Sequence, residues 1–226
     1  MISIYLYTYT PIEIKMPTLI ARNISININQ HTLMNQLSFS VAPGKVLNIM
    51  GPSGCGKSTL LNYLSGTLTD NFITEGSVHL GEKNIDLLPT EQRNVGILYQ
   101  SPLLFPHMTN VENLMFAIPK EIKGKQRKEL ALIELNKFNL VDKAEGFPKN
   151  LSGGQQARIS LLRTLLSKPA YMLLDEPFSK LDTHLRREVR EFVLQQIQDA
   201  ELPTILVTHD NEDAKSMGGE VLTLSL

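Results

Sequence analysis

Gly51-Pro52-Ser53-Gly54-Cys55-Gly56-Lys57-Ser58-Thr59 is the stretch whose reading decides the fold. It follows the apolar run Val46 to Met50 and precedes the helical pattern Leu60, Leu61, Leu64. Strand, glycine loop and helix in that order form the context in which G-x-x-x-x-G-K-[ST] cradles phosphate. Gly51, Gly54 and Gly56 let backbone N–H groups face phosphate oxygens, and the helix N-terminus adds partial positive charge. Lys57 is then placed to reach the β- and γ-phosphates, and the Ser58 hydroxyl to ligate Mg²⁺. The plain alternative is an ordinary glycine-rich turn, which the flanking strand and helix disfavour. Nothing in the sequence marks Cys55 as an activated thiol, so it reads as a small filler of the loop.

Upstream, apolar and polar residues alternate over Leu19 to Ile28 and Leu37 to Val41, and Pro43-Gly44 turns the chain into the buried run. An antiparallel meander feeding a buried strand is expected. Downstream, Asn94 to Tyr99 reads as a strand ending at Gln100, and a largely helical stretch runs from about Val111 to Leu140. Ser152 is a good N-cap for a helix over Arg158 to Leu166. Tyr171 to Leu174 is a short strand ending in Asp175-Glu176-Pro177. Leu185, Val189, Phe192, Val193 and Ile197 share one helix face, and Thr204 to Val207 is a strand ending at Thr208-His209-Asp210. Strands alternating with helices, with chemistry at the strands' carboxyl ends, predict a mostly parallel α/β sheet. The stretch from about 101 to 156 interrupts that alternation as a helical insertion, with core sequence at about 16–100 and 157–226.

In such a sheet Asp175 and Glu176 emerge beside the phosphate loop. Asp175 is expected to hold Mg²⁺, directly or through water, and Glu176 to polarise an attacking water, although a helix cap would use the same residues. His209 has two readings, a satisfied structural histidine or a hydrogen-bond donor to the γ-phosphate. Gln100 is either a loop glutamine or a neutral amide that contacts Mg²⁺ or the water. Ser152, Gly153 and Gly154 at a helix start make a second anion site by the same physics. Two copies arranged head to tail would let each copy's second surface complete the other's pocket.

The 226 residues bound this reading, since about 150 residues per domain gives roughly 1.5 domains, or one large domain with an insertion. With 22 Lys plus Arg against 23 Asp plus Glu, the formal charge of −1 argues against polyanion binding as the main activity. No stretch approaches the roughly 18 consecutive apolar residues of a membrane span. The single Cys55 forbids an intrachain disulfide, and no signal-peptide pattern opens the chain, so a cytoplasmic location is expected. Tyr5, Tyr7 and Tyr9 alternate with Ile4, Leu6 and Thr8 in the first fifteen residues. That segment is either an upstream extension before a start at Met16 or an extra edge strand.

Together, Gly51 to Thr59, Gln100, Leu151 to Gln155, Tyr171 to Pro177, Ser179-Lys180-Leu181-Asp182 and His209 resemble six elements of ATP-binding-cassette (ABC) ATPases: phosphate loop, Q-loop, LSGGQ signature, Walker B, D-loop and H-loop. They occur in the family's order, and the resemblance covers about Thr18 to Val221. It implies a P-loop, RecA-like α/β core with an antiparallel β-subdomain and an inserted α-helical subdomain. It also implies ATP and Mg²⁺ as ligands, with Ser58, Gln100 and Asp175 on the metal and Glu176, His209, Lys57 and Gln100 at the chemistry. The partner copy, identical or a paralogue, would contribute Ser152, Gly153, Gly154, Gln155 and Asp182 to the opposite ATP. Gln100 and the helical insertion would face transmembrane permease subunits on the inner face of the cell membrane. An extracytoplasmic solute-binding protein would be an indirect partner, and nucleic acid is not expected as one.

Arg93 to Gln100 and Phe105 to Asn113 are similar to importer ATPases for polyamines, thiamine, ferric iron and maltose, which favours import over export. Three positions depart from the family pattern. The adenine-stacking aromatic falls near Ile28, which has no ring; Lys180 replaces a small D-loop residue; and the chain stops soon after Val221, so maltose-type regulation is not expected. Competing classes lack their features. A DNA-repair or chromosome ATPase needs a long coiled coil between Lys57 and Ser152, and a translation-factor ATPase needs two cassettes. A small-molecule kinase would not carry LSGGQ. A non-catalytic regulatory subunit is disfavoured by the presence of Lys57, Asp175, Glu176 and His209. A soluble ATPase of the superfamily and an exporter subunit remain as alternatives.

Overall fold

The computed structural model describes residues 16–29 and 31–225; the expectations for residues 1–15 fall outside that range. β1 (Leu19–Ile28) and β2 (His31–Val41) pair antiparallel, with Leu19 opposite Val41 and Ile28 opposite His31. The chain then enters the largely buried β3 (Val46–Met50), the phosphate loop and α1 (Lys57–Ser65). β4 (Phe72–Leu80) returns to pair with β1, and β5 (Lys83–Asn84) closes an antiparallel sheet of order β2-β1-β4-β5. The sequence pattern does not show β4, because Gly76 and a run of exposed residues, Ile73 to Gly76, break any alternation.

β6 (Val95–Leu98) starts the return to the parallel sheet. Between it and β7 (Tyr171–Asp175) lie α2 (Asn110–Ala117), α3 (Gly124–Lys137) and α4 (Gly153–Leu166). The expected run over 111–140 is therefore two helices. Pro119 follows the end of α2, where a residue without N–H and with fixed φ does not continue the helix. α5 (Thr183–Asp199), β8 (Thr204–Val207), α6 (Asn211–Met217) and β9 (Glu220–Thr223) complete the chain, giving a parallel sheet of order β6-β7-β8-β3-β9.

Period-two alternation in the central strands supplies two cores. Leu47, Ile49, Tyr171, Leu173, Ile205 and Val207 face a cluster shared with α1 and the antiparallel sheet. Met172, Leu174 and Leu206 face the opposite cluster, which α5 covers with Val189, Val193 and Ile197. A third cluster joins Val111, Leu114, Leu135, Ile159 and Leu162 of α2, α3 and α4. Phe192 of α5 meets Phe138 of that cluster edge to face, with centroids 4.0 Å apart. The expected α5 face is thus buried in part against the parallel sheet and in part against the inserted helices.

One buried polar contact fixes α1 to the sheet. The Tyr171 hydroxyl, fully buried, donates to the Leu64 carbonyl at 2.9 Å, and burial pushes the phenol well above its ordinary range. Tyr171→Phe removes one of the two side-chain donors to that carbonyl, the other being Arg93 Nη1 at 3.1 Å, and is expected to cost about 1 kcal/mol. Thermal unfolding should show a Tm lower by about 2–4 °C for a chain of this size.

Candidate ATP-hydrolysis site

Parallel pairing places the carboxyl ends of β3, β7 and β8 side by side, because Ile49 aligns with Val207 and Val207 with Asp175. The loops leaving these strands carry the phosphate loop, Glu176 and His209, so residues far apart in sequence meet at one sheet edge. Gln100 arrives from β6, whose Leu98 aligns with Leu174.

The phosphate loop adopts the left-handed backbone its glycines allow, with φ of 87° at Gly54 and 92° at Gly56. Gly56 is the N-cap residue of α1 and supplies no side-chain cap, so the first N–H groups of the helix stay available to an anion. The Lys57 ammonium folds back over the loop, donating to the Gly51 and Pro52 carbonyls at 2.8 Å each and lying 3.9 Å from Cys55 Sγ. Cys55 is buried, in keeping with a filler. Ser53, Gly54, Gly56, Lys57, Ser58 and Thr59 line a cavity of about 300 Å³ together with Asp175 and Glu176. Leu33 of β2 also lines it, a contact the sequence does not reveal; Ile28, the position aligned with the family aromatic, pairs instead with His31 and Phe72.

Asp175 is raised above the ordinary carboxylate range, first by burial and second by the neighbouring Glu176, with Lys57 opposing the rise. Ser58 and Asp175 present a hydroxyl and one carboxylate to the same cavity, a hard-oxygen pair of the kind Mg²⁺ uses alongside phosphate oxygens. Gln100 does not line that cavity. Its amide donates to Glu176 Oε2 at 3.5 Å and to Ser179 Oγ at 3.2 Å.

Glu176 is a non-glycine residue at φ 46°, a conformation that costs energy and concentrates at functional sites. Its N–H donates to the Val207 carbonyl at 2.9 Å, and its Oε1 lies 2.9 Å from His209 Nδ1. Glu176 is thereby held between Gln100 and His209 at the cavity wall. Lys180 reaches Ser101 Oγ at 3.0 Å, beside the Gln100–Ser179 bond, so the D-loop and Q-loop are joined at two adjacent positions. Ser179 belongs to the D-loop run, whereas nothing in the sequence marks Ser101.

Ser152 caps α4 as expected. Its Oγ accepts the Gln155 N–H at 3.3 Å and Gln155 Oε1 accepts the Ser152 N–H at 3.0 Å, a reciprocal capping box. Ser152 and Gly153 are exposed, whereas Gly154 is buried where a Cβ would collide with Leu185 Cδ2. Asp182 caps α5 through its carboxylate, which accepts the Leu185 N–H at 3.1 Å. None of Ser152, Gly153, Gly154, Gln155 and Asp182 lines the phosphate-loop cavity of its own chain. Among the described residues, no helix is long and apolar enough to cross a membrane.

Comparison with known proteins gives this geometry a family. The ABC transporter family model matches residues 34–179, a span that includes the phosphate loop, Gln100, the signature and Glu176. An uncharacterized ABC transporter ATP-binding protein of Escherichia coli strain K12, YnjD, is 41% identical over 195 residues, covering 86% of this chain and 90% of that protein. The Fe(3+) ions import ATP-binding protein FbpC of Haemophilus influenzae strain 86-028NP is 37% identical, covering 89% of this chain and 58% of its own length. The sulfate/thiosulfate import ATP-binding protein CysA of Pseudomonas syringae pv. tomato is 34% identical, with 90% and 63% covered, so the chain spans less than two thirds of either import protein. A phosphate-loop cavity walled by Asp175 and Glu176, joined to a match of this extent, assigns the chain to the ABC transporter family of ATP-binding proteins.

Proposed function

We propose that this chain binds ATP with Mg²⁺ and hydrolyses it to power solute import through separate transmembrane permease subunits. The observation that carries the reading is the cavity in which Lys57, Ser58, Asp175 and Glu176 converge. Lys57 exchanges its two loop carbonyls for the β- and γ-phosphate oxygens, and the loop N–H groups and α1 N-terminus hold the rest of the anion. Ser58 and Asp175 would hold Mg²⁺, with Gln100 approaching from the Q-loop, and the metal would supply neutralisation of the charge that develops at the phosphates. Glu176 takes the proton of the attacking water, and His209 orients Glu176 and donates toward the γ-phosphate.

Two copies, or this chain and a paralogue, pair head to tail. Ser152, Gly153, Gly154, Gln155 and Asp182 of each then complete the other's ATP site, consistent with their place outside the cavity of their own chain. Residues 16–100 and 157–226 act as the core and 101–156 as the arm facing the permease, where Leu103 and Phe116 are 59% and 61% exposed. The pair sits on the inner face of the cell membrane, with an extracytoplasmic solute-binding protein supplying the permease. The import names of the FbpC and CysA relatives support direction; the solute class is set by those other subunits.

Lys57→Ala should weaken ATP·Mg²⁺ binding by about 10–10²-fold, the worth of its charge-assisted bonds, in equilibrium titration of the purified chain. Unchanged affinity would overturn the phosphate assignment. Copurification with integral membrane subunits and ATP-driven uptake in vesicles tests transport; outward movement would overturn import.

A further inference from the structure

The ring of His209 is 65% exposed, so surrounding packing does little to fix where it points. Its two neighbours in sequence are fixed instead. Thr208, 1% exposed, donates from Oγ1 to Asp213 Oδ2 at 3.2 Å and accepts the Asp210 N–H at 3.1 Å. The Asp213 carboxylate, equally buried, takes the fork of Arg186, with Nε on Oδ1 at 2.9 Å and Nη2 on Oδ2 at 2.6 Å, and a further bond from Arg190 Nη1 at 3.2 Å. Arg186 Nη2 also lies 2.8 Å from Asp210 Oδ2, so two guanidinium groups and two carboxylates balance in one cluster.

Arg186 stands one turn into α5, and its N–H donates to the carbonyl of Asp182, the residue that caps that helix. A continuous path of hydrogen bonds and short covalent links therefore joins Asp182 to Arg186, Asp213, Thr208, His209 and Glu176. Buried ion pairs of this kind contribute little net stability against apolar replacements. A bidentate guanidinium–carboxylate fork fixes direction as well as distance, which a point charge would not.

We propose that the Arg186–Asp213–Thr208 cluster is a positioning device for ATP hydrolysis, holding the His209 backbone so that Nδ1 meets Glu176 and tying that contact to the start of α5. It rests on the reading of His209 and Glu176 given above. Through the cluster, any shift of Asp182 on engaging a second copy is passed to His209 by the partly exposed Arg186 and the buried Asp213 and Thr208. None of Arg186, Asp213 and Thr208 need touch nucleotide.

Thr208→Val is the cleanest probe, since it keeps the shape and charge of the site and removes only Oγ1. We expect kcat of the purified full chain to fall about tenfold or more, with the KM for ATP within about twofold. Arg186→Lys, which keeps the charge and loses the fork, should fall likewise. In a His209→Ala chain, Thr208→Val should lower kcat by less than a further twofold or so, because both changes act through one residue. An equal loss in both backgrounds, or a lowered melting temperature with kcat unchanged, would overturn the proposal. A His209→Ala loss beside a silent Thr208→Val overturns the cluster's role alone; a His209→Ala chain with wild-type kcat overturns the underlying reading of His209 and the cluster with it.

Discussion

Glu176→Gln is expected to lower ATP turnover by about 10²–10⁴-fold, the usual worth of a general base, while leaving ATP affinity within about threefold. The amide is isosteric, and it keeps partners for Gln100 and His209, which lie 3.5 Å and 2.9 Å from the two carboxylate oxygens. What it loses is the negative charge and basicity that let a carboxylate take a proton from water. The φ of 46° at Glu176 holds either side chain at the cavity wall, so binding geometry should survive. ATP would then hold two copies together without being consumed. Size-exclusion chromatography should show a dimer with ATP·Mg²⁺ and a smaller species without it. Retained turnover would sink the base assignment, and lost ATP binding would move Glu176 from chemistry to anchoring.

Glu176 also shows why the amino-acid sequence alone makes the site legible. Short apolar runs ending in charged or polar residues mark parallel strands, and parallel strands present their ends on one edge. Val46 to Met50, Tyr171 to Leu174 and Thr204 to Val207 each carry that signal, so the meeting of Lys57, Asp175, Glu176 and His209 follows from local patterns. β4 does not carry it, because Ile73 to Gly76 are exposed and bend around Gly76. The first half of β2 is hidden for a related reason: His31, Thr32, Asn35 and Gln36 are exposed and polar, His31 and Thr32 are held by pairing with Ile28 and Asn27 of β1, and Gln36, at φ 52°, lies at a register shift where its N–H donates to Ser25 Oγ.

Side-chain networks between distant elements are out of reach of local patterns. Nothing nearby in sequence marks Asp213 as the partner of Arg186, since charges at helix starts are common and the pairing depends on how α5 and α6 pack. Leu33 reaches the cavity wall by the same route, since β2 brings Leu33 and Met34 beside Gly56 of the phosphate loop. Gly154 is an intermediate case. Its place in the LSGGQ run reads as phosphate recognition, whereas the structure also gives it a packing role, with Leu185 occupying the space of a Cβ.

The second large effect is expected at Ser152, and it separates a head-to-tail pair from a self-contained site. Asp is as good an N-cap as Ser, so Ser152→Asp preserves the cap that orders the start of α4. It also places a carboxylate on an exposed surface that, in the proposed pair, would meet the γ-phosphate held by the other copy. Like charges brought together at a dry interface cost several kcal/mol, so the ATP-dependent dimer of the Glu176→Gln chain should weaken by about 10²–10³-fold. ATP binding by the separate chain should not change, because Ser152 lies outside the cavity that holds Lys57 and Ser58. Chromatography over a range of protein concentrations measures the first quantity, and ATP titration of dilute protein the second. Loss of ATP affinity comparable to that of Lys57→Ala would mean that the signature serves its own chain's nucleotide. An unaffected dimer would remove Ser152 from the interface. Intact binding with failed pairing, the expected outcome, is possible only if one chain supplies the loop that holds ATP and another the surface that closes over it.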